Sequence, residues 1–161
     1  MSDFKDLGVG IDIEEIQRFE KYDTANNPFV LRIFTKDEIE YCFSKVNYAS
    51  HLAARYCAKE ACLKAVCSFG YEAVSYADFE IFHAKNGAPE VRILNPNLDE
   101  KVEIKVSLSH NKINAICYAL AHKKHIQISY GENNFMNDNY RNNQNDFNDN
   151  LRRDVYGSAE I

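Results

Sequence analysis

Apolar residues alternate with small or acidic residues near the start of the chain. In the run LGVGIDIEEI, residues 7–16, the apolar side chains are separated by Gly8, Gly10 and Asp12. A period of two predicts a β-strand that has one apolar face. The opposite face then carries two glycines and a single carboxylate, a combination that calls for a physical explanation.

Three helices are predicted after this strand. The first covers residues 14–22 and ends before a break at Asn27-Pro28. The second begins at Thr35, because Thr35 and Glu38 have the spacing of a capping box. The third is predicted over residues 51–67 from its helical periodicity. Its expected apolar stripe consists of Leu52, Tyr56, Leu63 and Cys67, and the stripe also contains Glu60.

The period returns to two beyond Gly70. Residues 79–82 and 89–93 flank the pair Asn86-Gly87, which is typical of a β-hairpin with a type I′ turn, where both central residues need positive φ. Two more strands are predicted at residues 102–109 and 115–121. One strand, three helices and then an antiparallel sheet define an α+β fold.

The composition changes near residue 125. Nine of the twenty residues from 131 to 150 are Asn, and large apolar residues are scarce. Such a segment buries too little surface to offset the entropy of ordering it. We therefore predict one folded domain over residues 1–125 and a disordered tail over residues 126–161.

Charge and cysteine content exclude some functions. The net charge is -5, so the chain lacks the basic balance of a nucleic-acid-binding protein. The five cysteines form no CxxC pair, which favours a reduced intracellular protein. Neither a signal peptide nor an apolar run of membrane-spanning length is visible. We expect a cytoplasmic protein that binds neither nucleic acid nor membrane.

Two carboxylates and a lysine are the main candidates for chemistry. In one interpretation Glu60 pairs with Lys64 at helical spacing, and Asp12 caps the helix that follows it. In the other, Asp12 and Glu60 hold a Mg²⁺ ion, which typically takes one or two protein carboxylates. Gly8 and Gly10 would then leave space for a bulky ligand, and Lys64 would contact its phosphate. Spacing alone does not choose between them.

Five short sequence segments, or blocks, taken together, resemble the holo-[acyl-carrier-protein] synthase family. Members of this family are small trimeric 4′-phosphopantetheinyl transferases. The blocks occur in the family's order within residues 7–122, and they are GVGIDIEEIQRF, RIFTKDEIEYC, ARYCAKEACLKAV, KNGAP and VSLSHNKINAICYA. The resemblance implies Mg²⁺-dependent transfer of 4′-phosphopantetheine from coenzyme A to a serine of apo-acyl carrier protein. The second product is 3′,5′-ADP, and the reaction supports fatty acid biosynthesis.

The resemblance also implies roles for particular residues. Asp12 and Glu60 would bind Mg²⁺ and, with Lys64, form the catalytic set. The residues implied in coenzyme A binding are Arg55, Lys64, Asn86, Gly87, Pro89, Ser109 and His110. A basic surface near the first helix, with Arg18, Lys21 and Arg32, would dock the acidic carrier protein. Family members are homotrimers whose sites lie between two subunits, so the hairpin and His110 are expected to serve a neighbour's site.

The sequence departs from the family pattern after Lys64. A glycine-rich K-A-x-G-T-G is usual there, and this chain has KAVCSFG. This departure and the long tail keep a second hypothesis open, a non-catalytic scaffold of the same fold that binds coenzyme A or a carrier protein. A metal-dependent phosphatase or nuclease is a third hypothesis, which is poorly supported because no cluster of metal-ligating histidines accompanies the two carboxylates.

Overall fold

The computed structural model describes residues 4–71 and 73–124. Its strands are β1 (Leu7–Glu15), β2 (Phe79–His83), β3 (Pro89–Ile93), β4 (Val102–His110) and β5 (Asn114–Lys123). Its helices are α1 (Pro28–Ile33), α2 (Lys36–Phe43), α3 (Tyr48–Cys67) and α4 (Pro96–Asp99). The predicted α+β class with antiparallel sheets is confirmed, whereas the predicted tail lies outside the described residues.

Two antiparallel sheets make up the β structure. β5 lies between β1 and β4 in a three-stranded sheet, and β2 pairs with β3 in a separate hairpin. α3 packs across one face of the larger sheet, and α2 and β2 contact the helix as well. The core therefore lies between α3 and the sheet, and it includes Ala58, Cys62, Val102 and Cys117.

The apolar stripe predicted for α3 is wrong in detail. Leu52 is fully buried, but Leu63 is only partly buried and Cys67 is exposed. Small residues such as Ala61 and Ala65 form the closest contact with the sheet instead. Because α3 is covered on several sides, an amphipathic stripe is a poor guide to which of its residues are buried.

The two glycines of β1 face α3 rather than a ligand. A Cβ on Gly10 would lie 1.9 Å from the carbonyl oxygen of Ala61, and one on Gly8 would lie 2.2 Å from that of Ala65. The expected open space beside Asp12 is therefore occupied by the helix backbone. Glycine at these positions permits a strand-to-helix approach that any side chain would prevent.

The first predicted helix is much shorter than expected. β1 continues through Glu15, and only a 3-10 turn at Ile16–Phe19 follows. The amide of Ile16 donates to the carbonyl of Ile113 at 2.8 Å, which extends the pairing at the strand end. α1, in contrast, begins at the predicted break at Asn27-Pro28, where the side chain of Asn27 accepts from the amide of Phe29.

The β2–β3 hairpin is confirmed, but its predicted type I′ turn is wrong. Gly87 has a φ of +84°, whereas no residue other than glycine has positive φ in the part of the chain that is described. The amide of Gly87 donates to the carbonyl of Ala84, and the side chain of Asn86 accepts from the amide of Ala88. The loop is thus longer than two residues and needs the left-handed region only at its glycine.

The capping box at Thr35 is confirmed and does more than begin α2. The amide of Glu38 donates to the Thr35 hydroxyl, and the amide of Thr35 donates to the Glu38 carboxylate. The same carboxylate lies 2.8 Å from the ammonium of Lys59 on α3 and accepts from the amide of Ile81 on β2. One buried carboxylate therefore links three elements.

The outward face of the three-stranded sheet is apolar and exposed along β1 and β5, and polar along β4. The large apolar side chains are Val9, Ile11, Ile13, Ile116, Tyr118 and Leu120. Such a continuous apolar patch marks an interaction surface more often than a solvated one. Among the helices that the structure describes, none combines the length and apolarity needed to cross a membrane.

Candidate active site

Asp12, Glu60 and Lys64 converge where β1 meets α3. The ammonium of Lys64 lies 2.8 Å from Oδ1 of Asp12 and 3.9 Å from Oε1 of Glu60, and it also donates to the carbonyl of Ile11. Asp12 therefore does not cap a helix, and the nearer partner of Lys64 is Asp12 rather than Glu60. The hydrogen bond to Asp12, more than any other contact, raises the pKa of Lys64.

The glycines of β1 explain how the sequence brings these groups together. Gly8, Gly10 and Asp12 alternate on the strand face that packs against α3. Close packing of the strand on the helix puts the Asp12 side chain beside the turn that carries Glu60 and Lys64. The Asp12 carboxylate therefore lies on the glycine face because this face of β1 packs closely against α3.

The carboxylates have the properties of ligands for a hard cation. Oδ2 of Asp12 is buried and has no hydrogen-bond partner, which is costly for a charged oxygen unless a cation satisfies it. Among residues 4–71 and 73–124, no group of three or more His, Cys, Asp or Glu side chains forms a metal cage. Mg²⁺ needs no such cage, because water and substrate phosphates complete its shell. The residues present therefore fit Mg²⁺.

Glu14 is a charged neighbour that the sequence reasoning missed. It lies two positions after Asp12 on the same strand face, is buried, and forms an ion pair with Arg18. Burial raises the pKa of Glu14 against the opposing effect of Arg18, and the nearby Asp12 raises it further. Extending the strand period by one more step reveals Glu14, but the predicted first helix already includes that residue.

Tyr76 is a second missed residue. Its hydroxyl donates to Oε2 of Glu60 at 2.5 Å. Burial, reinforced by this hydrogen bond, raises the pKa of Tyr76, so the hydroxyl stays protonated and remains a donor. The residue lies sixteen positions after Glu60 in a 3-10 turn, and no periodicity in the sequence connects the two.

Arg55 lies away from Lys64. The two residues are nine positions apart on α3, about two and a half turns, which puts them on opposite sides of the helix. Arg55 is only 3% exposed, and its guanidinium lies 4.1 Å from the ring centroid of Tyr41. It borders a cavity of about 250 Å³ that His83 and Arg92 also line.

Histidines gather on the Arg55 side of the helix. Burial lowers the pKa of His51, and the charges of Arg55 and His110 lower it further. The other residues predicted to bind coenzyme A lie at strand ends: Asn86 and Gly87 in the hairpin loop, Pro89 at the start of β3, and Ser109 beside His110 at the end of β4. Of the predicted set, the structure thus separates Lys64 from Arg55 and brings His110 near the Arg55 side of α3.

The three predicted carrier-docking residues are all exposed. Arg18 and Lys21 lie in and after the 3-10 turn, and Arg32 lies on α1. These segments pack together through stacked rings of Tyr22 and Phe29, whose centroids are 4.3 Å apart. Arg18 differs from the other two because its guanidinium is already paired with Glu14.

Comparison with known proteins identifies the class to which this fold and site belong. The family model described as the 4′-phosphopantetheinyl transferase superfamily matches residues 8–126. The chain therefore belongs to that superfamily.

Individual relatives narrow the assignment. The holo-[acyl-carrier-protein] synthase of Clostridium tetani is 38% identical over 120 residues, 71% of this chain and 94% of that protein. The one from Thermoanaerobacter sp. is 40% identical over 121 residues, 72% of this chain and 87% of that protein. These matches confirm the resemblance to the holo-[acyl-carrier-protein] synthases and the prediction of an enzyme.

A solved structure extends the likeness to the fold. The holo-(acyl-carrier-protein) synthase of Bacillus anthracis, in complex with CoA (3′,5′-ADP), is 28% identical and gives a TM-score of 0.59. The match covers 73% of this chain and 96% of that one. The described fold is thus shared with a protein that binds coenzyme A.

Proposed function

We propose that this chain transfers 4′-phosphopantetheine from coenzyme A to a serine hydroxyl of apo-acyl carrier protein, in the presence of Mg²⁺. The observation that carries the proposal is the convergence of Asp12, Glu60 and Lys64, with one oxygen of Asp12 buried and unpartnered. The relatives' activity, together with this oxygen-rich and partly exposed site, favours catalysis over a scaffold role.

In the proposed reaction the serine oxygen attacks the β-phosphorus of coenzyme A and the bond to the 3′,5′-ADP leaving group breaks. Mg²⁺, held by Asp12 and Glu60, would supply positive charge to the phosphate oxygens. A lysine side chain is charged at neutral pH, and the half-exposed side chain of Lys64 can turn from Asp12 to a phosphate. The serine proton leaves to Glu60 or to solvent.

We propose that the complete site is formed by two subunits of a homotrimer. Two observations support this assembly. Lys64 and Arg55 lie on opposite sides of α3, so one subunit would offer its Lys64 to a nucleotide held by its neighbour's Arg55 and His110. The apolar outer face of the three-stranded sheet then provides the surface along which subunits associate.

The remaining proposals concern the cellular role. The domain over residues 1–125 would be sufficient for transfer, since the family match ends at residue 126. The carrier protein would dock on the basic surface formed by Arg18, Lys21 and Arg32. The enzyme would act in the cytoplasm and supply holo-carrier protein for fatty acid biosynthesis.

The test is the mass of apo-acyl carrier protein after incubation with coenzyme A, Mg²⁺ and the enzyme. The parent protein should add one 4′-phosphopantetheine group. Asp12→Asn or Glu60→Gln should reduce the rate about 100-fold or more at limiting Mg²⁺, since charge stabilisation by a metal is worth several kcal/mol. The exposed Glu100→Gln serves as the matched control and should keep the parent's rate.

The outcomes separate the competing functions. No mass gain by the parent, combined with retained binding of coenzyme A, would favour the scaffold. Transfer by the parent that is unaffected by either substitution would show that the two-carboxylate site is wrong.

A further inference from the structure

We propose that Tyr76 is a positioning residue that fixes the Glu60 carboxylate in the orientation needed to bind Mg²⁺. The inference deepens the proposed function and rests on it, because it takes Glu60 as a ligand of the metal. Neither the motif blocks nor the family resemblance singles out Tyr76.

The hydrogen bond gives the two oxygens of Glu60 different environments. Oε2 accepts from the hydroxyl of Tyr76 at 2.5 Å, whereas Oε1 lies 3.9 Å from the ammonium of Lys64. Oε1 is thereby directed toward the cationic position shared with Asp12. A free glutamate four residues before a lysine would adopt several rotamers, and the tyrosine selects one of them.

Tyr76 can act in this way because α3 holds it at several points. The ammonium of Lys59, the residue before Glu60, donates to the carbonyl of Tyr76 at 3.1 Å. The ring of Tyr56 stacks on that of Tyr76 with centroids 5.3 Å apart, and the two hydroxyls lie 3.3 Å apart. Tyr56, Lys59 and Glu60 are related by the i, i+3, i+4 spacing, so one face of α3 contacts all parts of Tyr76.

The local turn adds to this rigidity. Ser75 and Asp78 form a capping box around the 3-10 turn that carries Tyr76, with the amide of Ser75 donating to the Asp78 carboxylate. β2 begins immediately afterwards at Phe79. Tyr76 is thus held in place both by α3 and by the turn that leads into β2. Hydrogen-bond partners that orient a metal ligand in this way commonly affect metal affinity.

The experiment measures Mg²⁺ binding to the full chain loaded with coenzyme A, without carrier protein, by isothermal titration calorimetry. Tyr76→Phe should raise the dissociation constant of Mg²⁺ about 10-fold. In a separate transfer assay, saturating Mg²⁺ should restore most of the rate, and KM for the carrier protein should not change. A loss of general stability would not produce that recovery.

Tyr48→Phe is the matched control. The hydroxyl of Tyr48 donates to the carbonyl of Glu20 at 2.7 Å, so this variant also loses one tyrosine hydrogen bond, but none near Glu60. It should leave the affinity for Mg²⁺ at the parent's value. In a Glu60→Gln background, Tyr76→Phe should cause no further weakening, because the carboxylate through which it acts is gone.

The outcomes distinguish this inference from the proposed function. A parent that shows no Mg²⁺-dependent transfer would refute both. An active parent whose Mg²⁺ affinity is unchanged in Tyr76→Phe would overturn the inference alone. If Tyr76→Phe does not fold, Tyr56→Phe provides the second measurement: it removes the hydroxyl next to Tyr76, and unchanged Mg²⁺ affinity there would contradict the proposal.

Discussion

Gly10 has no side chain because the backbone of α3 occupies the place where one would be. The nearest helix atom would lie 1.9 Å from an added Cβ, and it is a main-chain oxygen that cannot move independently of the helix. Gly10 has no positive φ, so the requirement is for space and not for backbone conformation. The same contact sets the distance between Asp12 and the residues of α3.

Gly10→Ala should therefore destabilise the fold strongly. We expect a loss of about 3 kcal/mol or more in the free energy of unfolding, since steric overlap with backbone is among the most disruptive changes in a core. Urea denaturation provides the measurement. Gly87→Ala is the control: nothing lies within 4 Å of its added Cβ, and its φ of +84° predicts a smaller cost of about 1 kcal/mol. If both substitutions lowered the free energy of unfolding by the same small amount, the packing argument for Gly10 would be wrong.

The candidate site shows which residues sequence can and cannot reveal. Asp12 and Glu60 were predictable because one is a lone carboxylate on a strand face of glycines and the other lies in an apolar helix stripe. Lys64 follows from its spacing to Glu60, and all three match the family blocks. Tyr76 was not, because its contact with Glu60 depends on how a turn after Gly70 folds back on α3. The glycines signalled a close approach, but only the structure shows that the approaching group is a helix.

α3 is held in place by a buried ion pair as well as by apolar packing. The ammonium of Lys59 is fully buried, lies 2.8 Å from the Glu38 carboxylate, and also donates to the carbonyl of Tyr76. Burial lowers the pKa of Lys59, and Glu38 opposes that shift. The positions of α2 and α3 were predictable from capping and periodicity, but a lysine inside the core was not, because lysine is almost never fully buried without a partner.

Glu38→Gln should destabilise the protein by about 3–5 kcal/mol, because it leaves the charge of Lys59 buried without its counterion. Chemical denaturation followed by circular dichroism is the measurement. The double variant Glu38→Gln/Lys59→Met should recover part of the loss, since it removes the uncompensated charge. Disruption of the exposed Lys105–Glu103 pair should cost less than about 1 kcal/mol. If Glu38→Gln destabilised the protein no more than disruption of the exposed pair, the buried ion pair would not be holding α2 to α3.

At the scale of the whole molecule, the outer face of β1 and β5 is an apolar surface that stays exposed within the part of the chain that the structure describes. Along each strand, residues on the outer face alternate with residues on the buried face, as the sequence pattern predicts. The pattern did not reveal that the apolar side of β1 points outward, because either face of a strand fits a period of two. Only the glycine contacts with α3 decide the orientation.

Ile11→Lys should prevent formation of the proposed trimer. Ile11 is 57% exposed and lies opposite Tyr118 in the middle of the apolar face. Burying an unpaired ammonium there would cost more than the apolar contact gains. Light scattering should show a smaller species, with loss of transfer if the sites are shared. Val46→Lys, at a fully exposed residue, should leave the assembly unchanged. An active monomeric parent would refute the shared site.

Carrier docking must depend on local charge, because the chain carries a net charge of -5 and its proposed partner is acidic. Arg18 is a poor residue for testing this, since its reversal would also leave Glu14 buried without its guanidinium partner. Lys21 is exposed, with its ammonium over the ring of Tyr22 at 5.1 Å from the centroid. Its charge can therefore be changed without disturbing the strand that carries Asp12.

Lys21→Glu should raise KM for the carrier protein several-fold and leave KM for coenzyme A unchanged, because rim charges mainly govern encounter between partners. Added salt should weaken carrier binding more steeply in the parent than in the variant, since screening acts on an attraction that the variant has lost. Lys5→Glu makes the same change of charge near the opposite end of β1, about 25 Å away along the strand. Steady-state kinetics with each substrate varied in turn separates the two variants. If both raise KM for the carrier equally, net charge rather than this surface governs docking, and if neither does, the carrier binds elsewhere.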